Sequence, residues 1–177
     1  MRRVLHLARR FFGALRPGGP KPADAAWVAG VLTPEELGLW SRMPSHDRRH
    51  SVLVARRVER ALAGTDAADD PRWLAAALLH DVGKLDAGLS VFGRVVATVA
   101  GGAAGHEWAE PWSTKRGFTR RVGLYLRHPE LGATRIRVAG GREEAARWAD
   151  AHHDASTWHE TGIPPDVVDA LAAADDD

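Results

Sequence analysis

Cysteine is absent from the 177 residues of this chain. Its absence excludes disulfide bridges, thiolate metal sites and a cysteine nucleophile. Charge of one sign is not in large excess either, because 24 Lys and Arg residues stand against 23 Asp and Glu residues, which gives a formal net charge of +1. Without a strong charge imbalance, nucleic acid is not expected as a partner.

Long uninterrupted apolar runs are also missing. A transmembrane helix needs ~20 apolar residues. The longest candidate, residues 89–100, is shorter and contains Arg94. Near the N-terminus, Arg9 and Arg10 interrupt the segment where a signal peptide would be apolar, and no small-residue cleavage site follows. The expected location is therefore cytoplasmic.

Alternating apolar and polar stretches are scarce, whereas alanine-rich segments are frequent. This pattern predicts an all-α fold class. A chain of 177 residues is long enough for one substantial core and short for two.

Capping residues and prolines predict where the helices begin. Thr33-Pro34 with Glu36 forms a capping box, Ser45 is a candidate N-cap, and Asp70-Pro71 repeats the arrangement of a cap followed by proline. The region from Gly101 to Gly117 is predicted to be an irregular loop. Helices are predicted over residues 34–43, 46–62, 71–82, 89–100, 118–127, 130–139, 142–153 and 165–175.

The first sixteen residues form a basic amphipathic pattern. Arginines occupy one helical face, and the other face carries Val4, Leu7, Phe11, Phe12 and Leu15. Such a helix can make peripheral contact with an anionic membrane surface. It can also dock on its own domain, which is the favoured interpretation because such stripes usually pack. We predict a basic helix and Pro/Gly linker over residues 1–22 and a single helical domain over residues 23–177.

A histidine and an aspartate stand together at the end of an apolar run. Trp73 to Leu79 lead directly into His80-Asp81, and Gly83 is expected to stop the helix. Imidazole and carboxylate together suit a divalent first-row metal. For the pair alone, the favoured interpretation is a histidine and an aspartate that cap a helix end.

Other histidines recur along the chain at the positions of a known pattern. His50 precedes the pair, His128 begins a His-Pro-Glu-Leu-Gly run, and His152-His153 close a later segment. Over residues 46–177 this arrangement resembles the HD-domain superfamily of metal-dependent phosphohydrolases. The runs are most similar to those of the HD-GYP subgroup, whose members hydrolyse cyclic dinucleotides. The tyrosine of that subgroup's Gly-Tyr-Pro loop is missing, since the nearest match is Gly162-Ile163-Pro164.

The resemblance implies an HD-type helical bundle with a metal site between its helices. It implies two divalent metal ions, Fe or Mn first, with Zn, Ni or Mg as alternatives. The implied ligands of the first ion are His50, His80, Asp81 and Asp175. Asp81 would bridge to a second ion held by His128, His152 and His153. Asp169 remains the alternative to Asp175 as the last carboxylate.

The implied activity is that of an enzyme, a metal-dependent phosphohydrolase of the phosphodiesterase or phosphatase type. A metal-bridged hydroxide would attack a small-molecule phosphoester, and the expected substrate is a nucleotide. Asp81 and Lys84 are the predicted catalytic residues, because Lys84 lies one turn past Asp81 and an ammonium can neutralise a phosphoryl group. The alternatives are a di-iron oxygenase on the same scaffold and a catalytically inactive HD regulatory or binding protein. The oligomeric state stays open.

Residues near these motifs are secondary candidates. His46 lies one turn before His50. It is interpreted as a residue that contacts the substrate or that hydrogen-bonds to a metal ligand and orients it. Tryptophans could stack on a base, and arginines could bind phosphate, each with a plain surface or core role as the alternative. These residues are Arg48, Arg49, Arg116, Arg120, Arg121, Trp108, Trp112 and Trp158.

Overall fold

The computed structural model of the protein describes residues 18–68 and 70–176. The predicted helix over residues 1–16 lies outside these residues. Within them every regular element is helical and no strand occurs, which confirms the predicted all-α fold class. The α-helices are α1 (Pro22–Val31), α2 (Pro34–Arg42), α3 (Ser45–Leu62), α4 (Pro71–Leu79), α5 (Lys84–Ala87), α6 (Val91–Ala104), α7 (Ala109–Ser113), α8 (Gly117–Leu126), α9 (His128–Ala139), α10 (Glu143–Ala151) and α11 (Pro165–Asp176).

Two apolar clusters hold these helices together. The main core joins α1 to α4 with α9 to α11, and its fully buried members include Leu78, Ile136, Trp148 and Leu171. A smaller second core contains Ala97 of α6 and other residues of the segment from α5 to α8. We call residues 91–126 the α6–α8 lobe. None of the described helices has the length and apolarity that crossing a membrane requires.

The prediction of an irregular loop from Gly101 to Gly117 was wrong. Helix α6 continues to Ala104, and α7 follows a short 3₁₀ turn over His106–Trp108. Packing explains why glycine does not end α6, because a Cβ on Gly101 would lie 2.5 Å from a methyl carbon of Leu126. The close contact between α6 and α8 compensates for the poor helix propensity of glycine.

Several predicted helix ends also shift. The residue preceding the first helical turn of α3 is Pro44, so Ser45 is a helical residue and not its N-cap. Helix α9 begins at His128, two residues before the predicted start. Helix α1 was not predicted, because residues 22–31 show no clear apolar face by themselves and only Val28 among them is buried.

Glu36 joins two helix starts that are far apart in sequence. It is fully buried, and its side chain accepts hydrogen bonds from the backbone N–H of Thr33 at 3.0 Å and of Arg142 at 2.8 Å. The guanidinium of Arg142 lies 3.3 Å from the same carboxylate. One carboxylate therefore caps α2 and fixes the start of α10, the helix that leads to His152.

Replacing Glu36 tests this contribution to stability. We expect Glu36→Gln to lower the free energy of unfolding by about 1–2 kcal/mol, because one of the acceptor oxygens becomes an amide that cannot accept. Urea unfolding followed by circular dichroism measures the change. Glu35→Gln, at an exposed position in the same turn, is the control. Equal midpoints for the two variants would contradict the double-capping role.

Candidate metal centre

Helix ends bring the predicted ligands into one place. His80 directly follows the last residue of α4, His128 follows α8 after one residue, and His152 directly follows α10. Asp175 lies in the last turn of α11, and His50 comes from the second turn of α3. The C-terminal end of a helix carries a partial negative charge. The ends of α4, α10 and α11 meet here and favour a cation, whereas at His128 the end of α8 is followed at once by the start of α9.

One group of ligand atoms lies between α3, α4 and α11. It consists of His50, His80 and Asp175, whose ligand atoms all lie within 4.8 Å of one another. An oxygen of Asp175 is 3.0 Å from Nε2 of His50 and 3.6 Å from Nε2 of His80. Ligands about 2.1 Å from one ion are separated by distances of this size.

A second group lies beside the first. It consists of Asp81, His128, His152 and His153, again with ligand atoms within 4.8 Å of one another. Oδ1 of Asp81 is 3.3 Å from Nε2 of His128 and 3.7 Å from Nε2 of His152. Each of the two groups could hold one metal ion.

The carboxylate of Asp81 connects the two groups. Its Oδ1 faces the second group, and its Oδ2 is 3.4 Å from Nε2 of His80 in the first. The two oxygens of one carboxylate therefore point toward different groups, which is the arrangement a bridging ligand requires. The structure thus brings all seven predicted ligands into two adjoining groups. Asp81 belongs to the second group, and its Oδ2 lies toward His80 of the first.

Backbone carbonyls fix the orientation of three of the rings. The Nδ1 atoms of His80, His128 and His152 lie 2.7 to 2.8 Å from the carbonyl oxygens of Ala77, Tyr125 and Ala149. Each acceptor is in the last turn of a helix, where carbonyls lack an intrahelical donor. A ring that donates from Nδ1 carries its lone pair on Nε2 when neutral. Metal-binding histidines are typically oriented by such hydrogen bonds.

The Nε2 atoms of these three rings test whether the site fits a metal. Nε2 is buried in His80, His128 and His152 and makes no hydrogen bond to any residue that the structure describes. A buried polar atom without a partner is costly, by about 1–3 kcal/mol each. Three such atoms aimed at the same carboxylates are explained by a cation between them, and the residues present therefore fit one.

Protonation states at neutral pH agree with this fit. Burial opposes ionisation of Asp81, but Lys84 and His80 outweigh it and hold the pKa of that carboxyl well below its usual range. Burial lowers the pKa of His152 and lowers that of His128 to about 4. These groups are therefore an anion and two neutral imidazoles, the forms that bind metals.

His80 and His153 differ from the other two rings. Burial opposes protonation of His80, yet Asp81 and Asp175 outweigh it and raise its pKa. The same two carboxylates would also favour a bound cation. His153 has an exposed edge, but the protein atoms around the rest of its ring, with His152 and His128, lower its pKa to about 2.

Lys84, the predicted phosphate-binding residue, is buried beside the centre. Its ammonium pairs with Oδ2 of Asp81, and only 7% of the residue is exposed. A lysine that merely complemented a helix terminus would lie in solvent. Lys84 therefore lies within the candidate centre and not at a solvated helix end.

Gly83 has a different role from the predicted one. Its φ angle is −66°, so it does not stop α4, which ends at Leu79. A Cβ at this position would lie 2.0 Å from the carbonyl oxygen of His128 and 2.6 Å from the amide nitrogen of Gly132. Glycine lets the backbone after Asp81 touch the start of α9. This contact brings His128 to Asp81.

Sequence reasoning missed two supporting arginines. Arg57 donates to the carbonyl oxygen of Ala174 at 3.1 Å and holds the last turn of α11, where Asp175 lies. Arg94 of α6 makes a bidentate ion pair with buried Asp47 of α3 at 2.6 and 2.7 Å. Neither follows a motif, and no local signal in the sequence could have paired residues so far apart.

Other candidates lie outside both ligand groups. His46 is in neither group, and Asp169 is exposed on α11. Trp158 packs against Trp148 with ring centroids 5.9 Å apart and donates to the carbonyl of Ala151, so it is a packing residue. Of the predicted phosphate-binding arginines, Arg116, Arg120 and Arg121 are exposed.

Comparisons with protein families, with curated proteins and with solved structures gave no match to this chain.

Proposed function

We propose that this protein is a metal-dependent phosphohydrolase of the HD type that holds two divalent ions, Fe or Mn first, and cleaves a nucleotide-type phosphoester. The observation that carries the proposal is the carboxylate of Asp81, whose two oxygens face two adjoining histidine groups. Ligand sets of imidazole and carboxylate without thiolate suit these metals.

The proposed roles follow from position. His50, His80 and Asp175 would hold one ion, the three later histidines would hold the other, and Asp81 would belong to both. Divalent ions bound there supply Lewis acidity toward a phosphoryl oxygen and lower the pKa of bound water.

Lys84 would act on the substrate. Its ammonium is already beside Asp81, and a buried cation at that point can neutralise negative charge that develops on a phosphoryl group. Its low exposure strengthens the interaction, because little water screens it.

Metal analysis combined with a hydrolysis assay tests the proposal. We expect the purified protein to contain about two metal ions per chain and to hydrolyse bis(p-nitrophenyl) phosphate or p-nitrophenyl phosphate. Chelation should abolish the hydrolysis, and Mn²⁺ or anaerobic Fe²⁺ should restore it. Stripping should also lower the melting temperature, because a ligand at 100 times its Kd stabilises by about 2.7 kcal/mol.

The alternatives give different results in the same experiment. A di-iron oxygenase would consume oxygen after iron loading and would not turn over either ester. An inactive regulatory protein would bind metals and turn over nothing. The proposal is contradicted if the protein purifies without bound metal and its melting temperature does not change when Mn²⁺ or Fe²⁺ is added.

A further inference from the structure

The outward side of α6 lacks the charged residues that a surface helix normally carries. Val95, Val96 and Val99 are 45%, 50% and 67% exposed. Arg94 is the one charged residue in Val91–Ala104, and it turns inward to Asp47. A surface helix of a globular protein usually exposes polar residues. An exposed helix side made of valines therefore indicates a site where another molecule binds.

Opposite charges are segregated along the chain. Residues 1–17 carry a net charge of +5 and the α6–α8 lobe a net charge of +3, whereas the remaining residues carry −7. In the lobe, Lys115, Arg116, Arg120 and Arg121 are exposed. The net charge of the whole chain is therefore near zero, although the α6–α8 lobe, which includes the valines of α6, is positive.

We propose that the α6–α8 lobe docks on the surface of an anionic lipid bilayer. Apolar side chains that enter the boundary between headgroups and acyl chains, combined with basic residues that attract anionic lipids, are the two signals of peripheral membrane binding. Trp108 and Phe118 of the lobe, 49% and 50% exposed, add aromatic groups of the kind that favour this boundary.

A bilayer fits these features better than other occupants do. Nucleic acid matches the positive charge but offers no apolar surface to the valines. A second copy that met this lobe with its own lobe would bring surfaces of the same sign of charge together. With 14 residues, α6 is shorter than the ~20 residues that would span the bilayer, so it would lie along the surface.

Vesicle sedimentation of the full-length protein tests the proposal. We expect the protein to pellet with vesicles of equal phosphatidylcholine and phosphatidylglycerol and to stay in solution with phosphatidylcholine vesicles. Raising the salt from about 0.1 to 1 M should release it, because the screening length falls from about 10 to 3 Å.

Two variants separate the apolar and the electrostatic contributions. Val95→Ser/Val96→Ser/Val99→Ser and Arg116→Ser/Arg120→Ser should each weaken partitioning about tenfold or more. The matched controls are Val138→Ser, at an 84% exposed valine of α9, and Arg42→Ser/Arg60→Ser, at exposed arginines outside the lobe. Neither control should change partitioning by more than about twofold. Circular dichroism checks that every variant is folded.

Three results would overturn the proposal. Failure to pellet with anionic vesicles excludes the bilayer. A concentration-dependent dimer in light scattering that the triple valine variant abolishes identifies a second copy as the occupant. A lower melting temperature of that variant with unchanged vesicle binding shows that the chain itself covers α6. The vesicle assay needs neither metal nor turnover and is independent of the proposed function.

Discussion

Asp81→Ala is expected to lose both metal ions at once and to lower the rate of ester hydrolysis at least about 100-fold. The physical reason is that each oxygen of this carboxylate faces a different histidine group. Removing a ligand that belongs to one group would leave the other group complete. Removing Asp81 leaves both groups incomplete, and the repulsion between two bound divalent ions is no longer offset by a carboxylate that they share. Metal content per chain and hydrolysis of bis(p-nitrophenyl) phosphate are the measurements.

The controls separate loss of metal from loss of fold. Asp81→Asn keeps the shape of the side chain, and it should lose the metals while keeping the helical circular dichroism signal. Asp169→Asn, at an exposed carboxylate of α11, should keep both the metals and the activity. Lys84→Gln should keep the metals but lose about 10²-fold or more in turnover. Retention of both ions by Asp81→Ala would reject the bridging role.

Gly83→Ala is expected to destabilise the protein by about 3 kcal/mol or more, which lowers the melting temperature by roughly 6–12 °C. A Cβ there would lie 2.0 Å from the carbonyl oxygen of His128. Because that atom belongs to the backbone, α9 itself must move away from Asp81. Metal content should therefore fall with stability. Thermal unfolding and metal analysis of the same preparation measure both effects.

Gly38→Ala supplies the matched control, because a Cβ on this helical glycine would meet nothing within 4 Å. Its expected effect has the opposite sign, a gain of about 0.5–1 kcal/mol from the better helix propensity of alanine. If both variants unfolded at the same temperature, α9 would not contact the backbone at Gly83 as closely as described.

Local sequence signals predicted most of the fold. The capping box of Thr33 and Glu36, the proline after Asp70 and the apolar faces of the long helices gave the right elements. The prediction failed at Gly101, where packing against Leu126 continues a helix that glycine propensity would end. Propensity is worth less than about 1 kcal/mol per residue, so a tertiary contact can override it.

The residues of the candidate centre were proposed from a resemblance carried by short runs. These runs include His80-Asp81 and His152-His153, and each lies at the end of a helix. The last carboxylate was harder to choose, since Asp169 and Asp175 lie on the same helix. Packing of α11 turned Asp175 toward His50 and left Asp169 in solvent.

By itself the sequence determined the helical class, the absence of thiolate chemistry and the residue types able to bind a metal, since composition and short motifs carry this information. Only the tertiary structure decided that one carboxylate faces two histidine groups, that glycine at position 83 brings α9 to that carboxylate and that the valines of α6 face outward. These features depend on contacts between residues distant in the chain, and no local pattern encodes the distance between two helices.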